Sequence, residues 1–317
     1  MQEVFLGIDT SCYTTSIALL DSVGNLLADK RTILTVKENG CGLRQSEMVF
    51  QHTKNLPVLF ASAFDEKNYK VNAVVTSSQP RFREESYMPA FLCGLSAGRV
   101  LSATHQVPLY LTSHQENHIQ AGLWSVKGLK AGRFIVLHIS GGTTDLLLVN
   151  KTTDKLTITE FGGSSDLNAG QYIDRIGVEL GLSFPAGKSL EQLALQATET
   201  VDIPVAVKGL SVSYSGPLTA TKKLLAKGID KADLAAGMQT AIAKSLAKLL
   251  LNACAAQDCQ QILLVGGVAS NLFIRNYLAE RLARQRVQIY FPEPEFCSDN
   301  AVGCAYLAWQ KGRKDFA

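Results

Sequence analysis

Two of the five histidines stand four residues apart, in the run Thr112-Ser113-His114-Gln115-Glu116-Asn117-His118. Ser113 followed three residues later by Glu116 is a capping-box pattern, so a helix is expected to begin at His114. Residues i and i+4 of a helix share a face, with Cβ atoms about 6 Å apart, and imidazoles so placed can ligate one cation. Gln115 stands where the His-Glu-x-x-His zinc-protease motif has its general-base Glu, so that motif is excluded. The same pattern also fits two surface histidines on a polar helix. A metal site needs a third ligand from elsewhere, and Asp299 is one candidate among many carboxylates.

Three glycine- or threonine-rich junctions suggest a second chemistry. Val4–Asp21 (VFLGIDTSCYTTSIALLD) and Arg133–Asn150 (RFIVLHISGGTTDLLLVN) share one layout, an apolar run, a small polar turn and a second apolar run. Each reads as a β-hairpin whose turn offers hydroxyls and backbone N–H groups to a phosphate. The third junction is a short buried strand, Ile262–Val265, running into Gly266-Gly267, with a helix starting near Ser270-Asn271. Backbone without side chains at such a junction admits the flat or anionic part of a ligand. Two similar hairpins, each opening a half-chain of alternating strands and helices, imply a duplicated α/β nucleotide fold with its cleft between the halves.

The helices that position these junctions are readable from periodicity. Asp230–Ala256 carries Leu234, Met238, Ile242, Leu246 and Leu249 near the helical repeat, with Asp230 as N-cap. Asp166–Leu180 carries Ala169, Tyr172, Ile173 and Ile176 on one stripe and stops at Gly181. These stripes read as core faces. The last helix is expected from Ser298-Asp299 to Gly312.

The composition of the 317 residues, 46% hydrophobic and 19% charged, is that of a globular protein of two domains or one large one. No apolar run reaches the roughly 20 residues of a membrane helix, and the N-terminus does not resemble a signal peptide. The seven cysteines form no Cys-x-x-Cys pair, so neither a zinc ribbon nor a disulfide framework is indicated and a cytoplasmic location is expected. The net charge of +3 does not by itself announce a nucleic-acid binder. Basic residues cluster at Lys222-Lys223, Lys227 and Lys231, and at Lys311, Arg313 and Lys314; solvated faces account for them, and an RNA contact is the alternative.

Taken together, the motifs resemble those of the tRNA threonylcarbamoyladenosine synthases, long called glycoproteases, of the actin-like ATPase (ASKHA) superfamily. GIDTSCYTTSIAL is similar to the family's opening hairpin, SHQENH to its Asn-His-x-x-x-His metal helix and HISGGTTDLLLV to its Ser-Gly-Gly-His-Thr loop. DLNAGQYIDRIGVELGLSFPAG resembles the segment ending in Tyr-Pro-Gly-Gly, and VSYSGPLTATKK the Phe-Ser-Gly-Leu-Lys stretch. GGVASN and CSDNA resemble its adenosine loop and third-ligand motif. The resemblance spans nearly the whole chain and implies a two-lobed actin-like fold with duplicated ribonuclease H-like domains and a nucleotide cleft. Its first lobe would comprise residues 1–112 plus about 296–317, and its second 113–295.

It further implies that His114, His118 and Asp299 hold one divalent metal, for which zinc and ferrous iron suit the donors alike. ATP, AMP or threonylcarbamoyl-AMP would contact His138, Ile139, Ser140, Gly141 and Gly142, then Asp174, Gly187 and Asn271, with Gly266, Gly267 and Asp9 counted among the cofactor-binding residues. The implied reaction moves a threonylcarbamoyl group from AMP to N6 of the adenosine next to the tRNA anticodon. The implied partners are tRNA and the proteins of that transfer complex, including a shorter homologue that pairs through the first lobe. Such chemistry needs no Ser or Cys nucleophile.

Several positions depart from the family pattern. Asp9 stands for Glu, Tyr13 and Thr14 for acidic residues, and Thr143 for His, while Gln79–Ser86 replaces a Gly-Pro-Gly-Leu loop. The Val-Pro-Glu-Leu-Ala-Ser-Arg-x-His motif survives loosely as Gly42–Glu47 leading to His52. The departures suggest a divergent paralogue. The competing readings are a nucleotide-binding, non-catalytic partner of the complex and a sugar or acetate kinase, for which Asp9 is the sole candidate base in the first lobe.

Overall fold

β1 (Gln2–Thr10) and β2 (Thr14–Asp21) form the first expected hairpin, with Val4 opposite Asp21 and Thr10 opposite Thr15. β3 (Leu26–Ile33) pairs antiparallel with β2. On the other side of β1, β4 (Tyr69–Gln79) and then β5 (Leu109–Ser113) add in parallel. Parallel neighbours need crossovers, supplied by α1 (Gln45–Phe64) and α2 (Phe91–His105). From Val4 onward β1 is buried at every position, as expected of a strand covered on both faces. α3 (His114–Ser125) follows β5 directly.

The same plan recurs later. β6 (Arg133–Ile139) and β7 (Thr144–Lys151) form the second hairpin, Arg133 opposite Asn150, and β8 (Leu156–Ser164) pairs antiparallel with β7. After α4 (Ala169–Glu179), α5 (Gly187–Ala194), β9 (Ala206–Lys208), β10 (Ser211–Ser213), α6 (Ser215–Ala226) and α7 (Lys231–Gln257), β11 (Gln261–Val265) returns parallel to β6. α8 (Leu272–Ala283) leads to β12 (Gln288–Tyr290), parallel to β11. The orders β3-β2-β1-β4-β5 and β8-β7-β6-β11-β12 are equivalent, and β10-β9 extends the second sheet beyond β8. This is the duplicated α/β plan expected from the hairpins.

The computed structural model describes residues 1–11, 13–36, 42–65, 68–83, 86–126, 128–152 and 155–313. Cys12, Cys41, the Glu84-Glu85 pair and Lys314 lie outside them. The chain divides into two compact units, one of Met1–Thr35, Leu43–Lys127 and Asp299–Ala317, the other of Val36–Gly42 and Gly128–Ser298. The expected boundary at 112/113 thus lies ahead of α3, whereas α3 falls in the first unit because it packs on the terminal helix α9 (Val302–Gly312). Cys93, Cys254, Cys259, Cys297 and Cys304 are free. Among the described residues no helix is long and apolar enough to cross a membrane.

Two helix starts differ from expectation for local reasons. α4 begins at Ala169, three residues after Asp166, because Asn168 and Gln171 form the reciprocal capping box. Asp166 accepts instead from the Ser213 hydroxyl and the Tyr214 N–H. α9 begins at Val302, because the Asn300 side chain accepts from the Val302 N–H at 2.8 Å and leaves 298–301 outside the helix. α7 matches its pattern, with the Asp230 carboxylate capping Ala232 and Asp233 and all five stripe residues buried.

α9 closes the first unit through two contacts that tolerate no side chain. A Cβ at Gly7 would lie 2.3 Å from the Ala301 carbonyl oxygen, and one at Gly303 would lie 1.9 Å from that of Asn117. Across this α3–α9 contact the Asn117 amide donates to the Asn300 carbonyl at 2.6 Å, and its oxygen accepts from the Cys304 N–H at 2.8 Å. Gly303→Ala is therefore expected to lower the urea midpoint at unchanged slope, costing at least about 1–3 kcal/mol. Gly216→Ala in α6, where a Cβ meets nothing within 4 Å, should leave the midpoint unchanged or slightly higher.

Candidate metal centre and adenylate-binding loops

α3 is polar yet buried: Gln115, Asn117, His118 and Gln120 all face inward. Its start is fixed by Ser113, whose hydroxyl accepts from the Glu116 N–H at 3.1 Å. The Glu116 carboxylate accepts from the Thr112 hydroxyl at 2.7 Å, so only one arm of the anticipated capping box is made. With the helix begun there, the two histidines lie on one face. Their Nε2 atoms are 3.2 Å apart.

Asp299, brought in by the loop ahead of α9, completes a cluster. Its Oδ1 lies 3.5 Å from His114 Nε2 and 3.3 Å from His118 Nε2. Ligand bonds of about 2.0–2.1 Å around a tetrahedral ion put donors roughly 3.3 Å apart, so the three observed separations fit one cation. Among the described residues this is the group of His, Cys, Asp or Glu side chains that could hold a metal ion.

Neighbouring residues hold the three in place. Asp299 Oδ2 accepts from the Ser11 hydroxyl at 3.3 Å, and its carbonyl from Arg31 at 3.5 Å. Arg31 is itself braced by Nε donating to both oxygens of Asp29. His52 Nε2 donates to the Ser11 carbonyl at 2.7 Å, and His52 Nδ1 lies 2.8 Å from the Thr15 hydroxyl. Burial keeps the His52 pKa below the ordinary value, so it acts as a neutral strut. Asp9, expected among the cofactor-binding residues, lies fully buried in this unit, 3.1 Å from His114 Nδ1.

The electrostatics follow from that arrangement. Burial alone would pull His114 down, but the charges of Asp9 and Asp299 and bonds to both raise it to about 10. Burial and the charge of His114 hold His118 below its ordinary value. Burial would raise Asp299, yet the two imidazoles bring it well below the carboxylate range.

The second unit gathers the remaining candidates. The Ser140-Gly141-Gly142-Thr143 turn is closed by the Ser140 N–H donating to the Thr143 carbonyl at 2.9 Å. Gly141 and Gly142 are exposed, and a Cβ at Gly142 would meet nothing. His138 and Ile139 are buried in β6, so their side chains belong to the interior. α4 abuts the turn so closely that a Cβ at Gly170 would lie 2.4 Å from the Ser140 oxygen. From α4, Asp174 accepts from the Ala186 N–H at 2.8 Å, next to Gly187 at the open start of α5. Its other oxygen lies 3.9 Å from where a Gly141 Cβ would be. Burial raises the Asp174 pKa, and the Ala186 N–H opposes that.

Gly266, at φ 97°, passes so close to β6 that a Cβ would lie 2.2 Å from the Ile139 oxygen, while Gly267 faces open space. Asn271 caps α8 by accepting from the Ile274 N–H at 2.9 Å, a structural role that accounts for its side-chain oxygen. Sequence reading missed Asn117, Ser11, Arg31 and Ser77, whose hydroxyl donates to Asp9 Oδ1. For Asn117 a signal existed, since α3 has no apolar stripe to explain its burial.

A profile of the tRNA N6-adenosine threonylcarbamoyltransferase family matches residues 30–306. The chain belongs to that family. It is a family of acyltransferases acting in tRNA modification. The chain is 30% identical to the tRNA N6-adenosine threonylcarbamoyltransferase of Thermosipho africanus, over 98% of this chain and 95% of that protein. It is 31% identical to a probable bifunctional tRNA threonylcarbamoyladenosine biosynthesis protein of Methanothermobacter thermautotrophicus, covering 95% of this chain but only 54% of that longer protein. In fold it is similar to the activator of 2-hydroxyisocaproyl-CoA dehydratase from Clostridium difficile, with a TM-score of 0.57, 13% identity and coverage of 99% and 97% of the two chains.

The raised pKa of His114 carries a prediction. A cation needs the imidazole lone pair, so below about pH 10 it displaces a proton from His114. Zinc(II) affinity should rise about tenfold per pH unit between pH 6 and 8, with about one proton released. Calorimetry in two buffers of different ionisation enthalpy measures both.

Proposed function

We propose that the chain transfers a threonylcarbamoyl group from threonylcarbamoyl-AMP to N6 of the adenosine next to a tRNA anticodon, with a divalent cation, zinc or ferrous iron, held by His114, His118 and Asp299. The observation that carries the proposal is the convergence of two imidazoles and one carboxylate at 3.2–3.5 Å in a chain of this family. A cation so held polarises an acyl carbonyl as a Lewis acid.

The chain's own residues supply the rest. Gly141, Gly142 and Gly267 offer backbone that a phosphate can approach without meeting a side chain. The free side of the Asp174 carboxylate accepts from a ribose hydroxyl. Burial raises Cys254 to about 11 and pushes Cys297 and Cys304 up as well, so these three are poor thiolate nucleophiles. In this reading the acceptor amine attacks the acyl carbonyl directly, forms the new C–N bond and loses a proton, and the bond from the carbonyl carbon to the AMP oxygen breaks. Partner proteins, a shorter homologue among them, and a cytoplasmic location belong to the same reading.

The kinase alternative loses its base. Asp9 is fully buried and committed to Ser77 and His114, so no sugar hydroxyl reaches it.

Mass spectrometry of tRNA nucleosides after incubation with threonylcarbamoyl-AMP and the partner proteins should show threonylcarbamoyladenosine, with the yield from His114→Ala lower by at least about 100-fold. No product from the unaltered chain under those conditions refutes the transferase reading, and phosphorylated sugar in an ATP assay would favour a kinase. Asp174→Asn should weaken AMP binding by about tenfold or more and leave zinc(II) affinity unchanged, as calorimetry with each ligand alone will show.

A further inference from the structure

Asp9, the penultimate residue of β1, is a buried carboxylate with 0% exposure, 105 residues before the histidine it faces. Burying an anion is tolerated only where donors answer it. Its Oδ1 receives two, the Ser77 hydroxyl and His114 Nδ1 at 3.1 Å. Its Oδ2 is buried and has no hydrogen-bond partner. The ionised carboxylate only accepts, so the bond to His114 exists only if Nδ1 carries a proton. In the neutral ring that leaves the lone pair on Nε2, the atom 3.2 Å from His118 Nε2 and 3.5 Å from Asp299 Oδ1.

We infer that Asp9 is a positioning residue, which by accepting the Nδ1–H of His114 fixes the ring's tautomer and orientation and commits Nε2 to the cation. The inference rests on the metal reading above and assigns Asp9 a task distinct from ligation, nucleotide contact or proton transfer with substrate. Total burial keeps substrate away from it. Ser77 in β4 and Asp9 in β1 sit on adjacent parallel strands, so the sheet itself sets where the carboxylate stands. A carboxylate behind a ligating imidazole also raises the basicity of the ligand nitrogen.

The test uses the full chain with zinc(II) alone. Asp9→Asn keeps the side-chain volume and removes the charge, and it should weaken zinc(II) binding by about 10- to 100-fold while thermal unfolding shows a folded protein. Nitrogen-15 spectra of the zinc-loaded unaltered chain should show His114 with a protonated Nδ1 and a metal-bound Nε2. That protonated Nδ1 signal should shift or be lost in Asp9→Asn, a change that a merely structural role would not produce. Zinc(II) affinity of Asp9→Asn within twofold of the unaltered chain, or His114 bound through Nδ1, overturns the inference. If Asp9→Asn does not fold, the spectrum of the unaltered chain decides alone. His114→Ala separates the two claims: unchanged zinc(II) affinity there removes the metal site itself, whereas loss there beside an unaffected Asp9→Asn removes only the role of Asp9.

Discussion

The first unit is organised around two carboxylates, Asp9 fully buried and Asp299 partly exposed. An ion taken out of water costs several kcal/mol after relaxation unless hydrogen bonds and opposite charge answer it. Asp9 is answered by Ser77 and His114, and Asp299 by Ser11, His114 and His118. His114 faces both acids and bears the largest consequence, holding its proton to about pH 10. In the proposed function a divalent cation would replace that proton and leave the carboxylates compensated.

Getting those groups together depends on one helix contact. α3 carries the imidazoles and the loop before α9 carries Asp299, and the Asn117 amide links the two while Gly303 lets the backbones approach. A single side chain with one donor group and one acceptor satisfies both backbone partners, which explains a buried Asn between the two histidines. On the far side, Gly7 admits α9 to β1, the strand that carries Asp9. The histidine pair, the clamp and the carboxylate therefore belong to one packed region.

The second unit uses the same sheet plan for a different purpose. Its hairpin turn, Ser140-Gly141-Gly142-Thr143, exposes two glycines, whereas the first unit's turn opens with the buried Ser11. The β8 edge is extended by β10 and β9, an addition that, among the described residues, the equivalent edge of the first sheet lacks. Duplication thus supplied two scaffolds with matching strand order, on which the turn residues set the chemistry.

Local features were legible from the chain itself because their hydrogen bonds close within a few residues. Both hairpins, the Asp230 cap, the Ser113 start of α3 and the face shared by His114 and His118 are of this kind. The starts of α4 and α9 were misplaced where two local acceptors competed, Asp166 against Asn168 and Asp299 against Asn300. Periodicity does not rank such rivals. Legible in the chain alone were therefore the duplicated α/β plan and the helix that pairs the histidines. Tertiary packing alone turns Asp9 toward His114 and lets Asn117 join α3 to α9. Those outcomes depend on which strands and helices become neighbours across a hundred or more residues, and no local spacing records that.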